Sequence, residues 1–248
     1  AFLLNNTKEI NGKRVNRITG KIIKACMPMH NVGFPVRIND LIEICNKFNL
    51  ILIEDAAEAL GSRIDEKMMG TFGSVGVYSF NGNKIITTGG GGALVTDSEV
   101  LFKEALHLST TAKVPHPFSY LHDQVGYNYR MPNINAALGI AQIEKIEDFI
   151  QMKKRQLKEL ELLLQSDEIS IVKPKFGASN NWFTVAKINH FEIKVDALIH
   201  ALNDKGIMAR PLWSQLSKMK PYSSFMAEEN PVSCNLLTRY ICLPNGVK

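Results

Sequence analysis

Apolar and polar positions along this chain switch between two periods, and the switches predict its elements. Over 37–49, "RINDLIEICNKFN", apolar residues fall at Leu41, Ile42, Ile44, Cys45 and Phe48, the spacing of one helix face, with Asn39 placed to cap it. "LILIE" (50–54) follows as a short apolar run suited to a strand buried on both faces, and Asp55 stands at its carboxyl end. "VGVYSF" (75–80) and "GALVT" (92–96) predict two more strands, and Asp97 or Ser98 can cap the helix "SEVLFKEALHLS". Helix, strand, polar residue is the rhythm of an α/β sheet, which binds ligands beyond the carboxyl ends of its strands.

A Pro- and aromatic-rich loop (113–133) separates this part from a proline-free helical stretch over 134–165. That stretch is long for a globular domain, and a helix linking two domains, broken near its middle, fits it. Beyond it the pattern becomes α+β: strands near "ISIV" (169–172) and "WFTVAKI" (182–188), a helix "KVDALIHALNDK" (194–205) ended by Gly206, and a strand in "IMARPLW". We place a domain boundary near 150, giving a larger unit 1–150 and a smaller α+β unit 151–248. The opening "AFLLNNTKEI" reads as the middle of a helix, so the natural start of the protein is expected upstream of Ala1.

Composition narrows the function classes. Hydrophobic residues make up 45% of the 248 and charged ones 21%, as in ordinary globular proteins. The net charge of +5 is spread out, and the densest basic run, "MKKRQLK" (152–158), falls on a helical pattern as a solvated face, which disfavours nucleic-acid binding. No apolar run is long enough to cross a membrane as a helix, and "AFLLNN" lacks the features of a signal peptide. Cys26, Cys45, Cys234 and Cys242 form no metal-like cluster, so no metal is expected; reduced thiols suit a cytoplasmic location.

The candidate chemistry centres on "SFNGNKIITTGGGGALVTD" (79–97), which puts Lys84 between a polar turn and four glycines. Three readings compete: a phosphate-gripping loop, a solvated turn with an incidental lysine, and a lysine used as a covalent nucleophile. The first fits poorly. A Walker loop places glycines before the lysine and a hydroxyl after it, whereas here the glycines follow and Ile85 takes the hydroxyl position. A dinucleotide fingerprint would open a helix, but these glycines run into a strand. The covalent reading gains from Asp55. A lysine amine forms a Schiff base with an aldehyde cofactor, and pyridoxal phosphate (PLP) needs that lysine, an acid against its ring nitrogen and donors for its phosphate. Asp55 could be the acid and Ser79 a phosphate donor, while the glycines allow a tight turn. Taken singly, an Asp after a strand is commonly a helix cap and a loop Lys commonly solvated.

"IEDAAEALGS…GTFGSVGVYSFNGNKIITTGGGGALVTD" closely resembles the central motif of the DegT/DnrJ/EryC1/StrS nucleotide-sugar aminotransferases. The resemblance continues through "MPMHNVGFPVRINDLIEIC", "VGYNYRMPNINAALGIAQIE" and "KGIMARPLW". It implies the PLP-dependent transferase fold type I of aspartate aminotransferase, here a partial large domain with a mixed, mostly parallel sheet plus a smaller C-terminal α+β domain. It also implies that Lys84 carries the cofactor, Asp55 pairs with the ring nitrogen, Glu58 lies beside the phenolic oxygen where glutamine is common, and Ser79 binds the phosphate. Asn128 matches a residue that crosses a homodimer interface to the partner's cofactor; aromatic core packing is the other reading of "GYNYRM". His30 and Arg130 match positions at the sugar site or its supporting shell, with a structural histidine the alternative for the first. Arg210 and Trp213 could border the nucleotide-sugar pocket, or Arg210 could simply lie over a sheet edge.

The implied activity is transfer of an amino group from glutamate to the 4-keto group of a nucleotide-linked deoxy-sugar. Within the family the chain is most similar to enzymes acting on UDP-linked 4-keto-6-deoxy-N-acetylhexosamines, including those of legionaminic acid pathways. A histidine replaces the lysine in the family's dehydratases, so Lys84 argues for transamination. Gly90 stands where many relatives have glutamate and Asn81 where histidine is common, departures that could mark substrate subgroup. The family's upstream Gly-Thr pair and stacking aromatic do not precede Asp55. Two readings follow: part of a longer enzyme, or a truncated non-catalytic relative that serves as a binding or dimerisation scaffold.

Overall fold

The computed structural model describes residues 1–246 apart from 165, 191 and 229. Contacts within the chain divide it into one unit of Ala1–Glu147 with Phe176–Asn180, and another of Asp148–Lys175 with Asn181–Lys248. The first opens on a short helix, Phe2–Asn5, followed by an antiparallel sheet of Thr7–Ile10, Lys13–Asn16 and Ile22–Ile23. Left-handed Asn11 and Gly12 (φ 49° and 72°) make the first hairpin turn, the geometry that matches strand twist.

The sheet that matters for chemistry runs in the order Ala25–Cys26, Ile51–Asp55, Val75–Ser79, Gly92–Val95. The first three strands are parallel and the last antiparallel. Leu52, Glu54, Gly76 and Tyr78 are buried on one face, so period-two alternation puts Ile53, Asp55, Val77 and Ser79 on the other. Asp55 pairs with Val77, and Ser79 with Gly92, which brings both polar residues to the carboxyl ends of neighbouring strands.

Helix Ile38–Phe48 starts two residues earlier than an Asn39 cap would set it: Arg37 is the cap, without a side-chain bond, and left-handed Asn49 (φ 53°) closes it. Ser98 does cap helix Glu99–Ser109, its Oγ accepting from the Leu101 N–H at 3.3 Å. The long helical stretch is two helices, Asn133–Ile143 and Ile146–Leu163, broken at 144–145; its last residue, 165, lies outside the described residues.

The second unit is an antiparallel sheet in the order Ile169–Val172, Thr184–Ile188, Tyr240–Leu243, Arg210–Pro211. Its core is Ala186, Ile188, Val195, Ala209, Ile241 and Leu243, with helix Val195–Asp204 contributing Val195. The strand expected in "IMARPLW" is reduced to Arg210–Pro211. Among the described residues no helix is long and apolar enough to cross a membrane, and no disulfide links the four cysteines.

Candidate active site

Asp55 ends its strand facing the open side of the sheet. Its N–H donates to the Pro28 carbonyl (2.9 Å) and its carbonyl accepts from the His30 N–H (3.0 Å), which ties the strand end to the segment before Asn31. The carboxylate Oδ1 accepts from the Ala57 N–H at 3.1 Å. One strand over on the same face, the Ser79 Oγ accepts from the Asn81 N–H at 3.3 Å.

The chain then turns through Lys84. Ile85, Ile86 and Thr88 are buried and anchor this turn. The Thr88 N–H donates to the Phe80 carbonyl (3.1 Å), and the Phe80 N–H to Gly91 (2.9 Å). Glycine here answers to geometry: Gly91 is left-handed (φ +87°), and a Cβ on Gly92 would sit 2.3 Å from the Tyr78 carbonyl oxygen. A Cβ on Gly90 would meet open space.

Lys84 does not wave in solvent. Its side chain is 14% exposed, and Nζ lies 3.6 Å from Oε1 of Glu58, itself 9% exposed. The other Glu58 oxygen accepts from the Val32 N–H at 2.7 Å. Val32 is left-handed (φ 52°), a conformation costing a β-branched residue about 1–2 kcal/mol. Behind it, the Asn180 Nδ2 donates to the carbonyls of Glu58 and Leu60, both at 2.9 Å. The Ser62 Oγ donates to the Gly33 carbonyl (2.7 Å) and accepts from the Asn180 N–H (2.9 Å). A lysine amine, an anchored carboxylate, a second carboxylate on the adjoining strand end and a hydroxyl thus share one end of the sheet. This set can hold a carbonyl compound covalently and move protons beside it.

Sequence reasoning missed the carboxylate beneath. Glu54 is fully buried, and all its acceptor positions are used: Oε2 takes the His30 Nε2–H (3.0 Å) and the Gly70 N–H (2.8 Å), Oε1 the N–H groups of Phe72 (2.6 Å) and Gly73 (2.7 Å). Burial alone would raise its pKa; His30 and the three backbone donors outweigh that and hold it below the ordinary carboxylate value. On the same face, burial and then the Glu54 charge push the Tyr78 hydroxyl up to about 12; it donates to the Met69 carbonyl at 2.6 Å. The signal available was a charge on the inward face of a strand.

This network corrects one assignment. His30, read as a substrate-binding residue, is fully buried, and its Nδ1 accepts from the Val36 N–H at 3.3 Å, leaving Nε2–H for Glu54. With both nitrogens engaged and no exposed surface it touches no substrate; it fixes the segment leading to Val32.

Asn128 and Arg130 are exposed. Tyr127 and Tyr129 stack at 5.1 Å, and Tyr129 is 76% exposed, so "GYNYRM" is not core packing. The two rings, with Val77, Leu94, Phe102 and Arg130, line an apolar cavity of about 790 Å³ on the open face of the sheet. Arg210 and Trp213 belong to the second unit. There the Arg210 Nη1 donates to Asn203 Oδ1 (3.3 Å), and Trp213 packs 6.3 Å from Trp182 and 6.5 Å from Phe183, ring centre to ring centre.

The sequence pattern of the DegT/DnrJ/EryC1/StrS aminotransferase family matches residues 4–248. A putative pyridoxal phosphate-dependent aminotransferase, EpsN of Bacillus subtilis, is 34% identical over 92% of this chain and 60% of its own length. A GDP-perosamine synthase of Escherichia coli O157:H7 is 36% identical over 92% and 62%. Among solved structures, Helicobacter pylori PseC, an aminotransferase of pseudaminic acid biosynthesis, shares the fold: TM-score 0.82 at 23% identity, over 89% of this chain and 61% of that one. The chain therefore spans about three fifths of the length of these relatives.

Proposed function

Because this chain belongs to the DegT/DnrJ/EryC1/StrS aminotransferase family, with the fold type I architecture of its structural neighbours, we propose that it is the cofactor-binding and substrate-binding part of a PLP-dependent nucleotide-sugar aminotransferase. The amino group passes from glutamate to the 4-keto group of a nucleotide-linked deoxy-sugar, with UDP as the carrier, in surface-polysaccharide or nonulosonic acid biosynthesis. One observation carries the reading: a shielded lysine amine, paired with Glu58, at the strand ends where Asp55 and Ser79 converge.

The residues present fit the cofactor by their chemistry: an amine for its aldehyde, a carboxylate for its ring nitrogen and a hydroxyl for its phosphate. When bound, PLP supplies an aldehyde that combines with amines and a protonated ring that draws electrons from the neighbouring carbon. Asp55 keeps that ring nitrogen protonated. Ser79 donates its hydroxyl to the phosphate. Lys84 would hold the cofactor through its amine and, once freed by the amino donor, would be the base for the proton on the donor's α-carbon. In the second half of the cycle it returns a proton to C4 of the sugar, so one amine within reach of both carbons serves twice.

Arg130 contacts the sugar; Arg210 and Trp213, in the second unit, are assigned to the nucleotide-sugar by the family resemblance alone. Asn128 reaches the cofactor phosphate of a second copy in a homodimer. The exposed Phe118, Tyr120, Tyr129 and Ile134 support such a contact, because large exposed apolar groups in one region mark association surfaces. The reaction takes place in the cytoplasm, where the four thiols stay reduced.

The test is covalent attachment. Protein incubated with PLP, reduced with borohydride and digested should carry the label on Lys84, and Lys84→Ala should carry none. Glutamate with UDP-, GDP- or dTDP-linked 4-keto-6-deoxy sugars then tests the carrier, with the UDP sugar expected to be aminated fastest. A folded protein that takes no label would instead support a non-catalytic scaffold.

A further inference from the structure

Glu58 has a role that cofactor contact does not explain. Its carboxylate is fixed before any ligand arrives: Oε2 by the Val32 N–H at 2.7 Å, and the backbone behind it by Asn180. Val32 is held left-handed to present that N–H, and Gly33 beside it (φ +82°) is packed so tightly that a Cβ would fall 2.1 Å from Asn180 Oδ1. Backbone strain of this kind persists where the surroundings over-determine it, and it collects at functional groups. What the strain orients is the second oxygen, Oε1, 3.6 Å from Lys84 Nζ. With both side chains at least 86% removed from solvent, an ammonium there needs a counter-charge.

We propose that Glu58 is the counter-ion of Lys84 and holds this amine in its charged, unreactive form in the cofactor-free protein. Glu58 is a positioning residue in the cofactor-free protein. Its proposed role rests on Lys84 being the cofactor lysine, whereas the ion pair itself is testable without cofactor.

Cofactor-free wild type and Glu58→Gln are treated at neutral pH with a water-soluble acetylating ester, and acetyl-Lys84 is followed by mass spectrometry. The amide can still accept from Val32 but carries no charge. Lys84 should therefore react roughly fivefold faster in the variant, as expected for losing a partly buried ion partner, with hydrogen exchange at the Val32 amide unchanged. Equal rates would overturn the proposal, as would acceleration accompanied by faster exchange at Val32, which would mean local unfolding. Should Glu58→Gln not fold, the carboxyl ¹³C resonance of Glu58 is compared between wild type and Lys84→Met; it should move, and an unmoved resonance overturns the pairing. PLP uptake is scored separately. Faster acetylation with no uptake by either protein would uphold the pair and sink the cofactor assignment instead.

Discussion

At the scale of single residues, the most consequential group is one that never meets substrate. Glu54 is a buried carboxylate whose four hydrogen bonds hold the segment around His30 and the turn 70–73 on either side of the Asp55 strand. Its pKa is lowered in the folded protein, by His30 and the three backbone donors acting against desolvation. The folded state thus binds the proton less well than the unfolded chain. The stability this confers is fully present above the ordinary carboxylate range and is lost as pH falls through the depressed value. Glu54→Gln turns an amide N–H toward backbone donors and should cost about 3–5 kcal/mol, the range for breaking a buried charged network. Urea denaturation at neutral and acidic pH is the check: the gap between variant and wild type should narrow as the medium is acidified. Lys84 and Asp55 were legible because an amine beside a glycine run and an acid at a strand end are unusual in combination. Glu54 was hidden inside an apolar strand run, and the two readings of His30 stayed open because a motif match reports position and not burial.

At the scale of elements, the candidate site depends on a clip between segments far apart in sequence. Asn180 donates to Glu58 and Leu60, shares Ser62 with Gly33, and so joins the short segment Phe176–Asn180 to the first unit. No periodicity could announce this, since the segment is neither helix nor strand and its partners lie more than a hundred residues away. The helices and strands themselves were readable because their signal is local. Where a local rule failed it failed at an end, where Arg37 took the cap position from Asn39; the break expected in the long helical stretch falls at 144–145. The clip makes a sharp prediction. Gly33→Ala adds a Cβ where Asn180 Oδ1 stands and strains a left-handed backbone, so it should destabilise the first unit by roughly 2–4 kcal/mol. It should also loosen Glu58, so that acetylation of Lys84 rises even under conditions where the variant stays folded. A melting curve together with the labelling rate reads both effects; a variant with unchanged stability would show that the contact yields without cost.

At the scale of the whole molecule, the two units carry opposite responses to alkali. In the second unit Lys153, on helix Ile146–Leu163, is buried and donates to the carbonyls of Trp182 and Asn245. Desolvation lowers its pKa from 10.5 to about 8. Between those values the unfolded chain binds a proton that the folded unit has released, so the unit gains stability as pH rises through this window and bears the cost of a buried charge below it. In the first unit burial raises Tyr78 from 10.0 to about 12, with the reverse consequence: its contribution is intact below 10.0 and is lost as pH climbs through the folded value. Amides of strand Thr184–Ile188 should therefore gain protection against hydrogen exchange between about pH 8 and 10, after correction for intrinsic rates, while those of Val75–Ser79 should not. Lys153→Met should abolish the gain in the second unit and leave the first unit's profile untouched. If the gain persists in that variant, the buried amine is not its source, and the helix is held to the sheet by packing on the apolar residues of the second core instead.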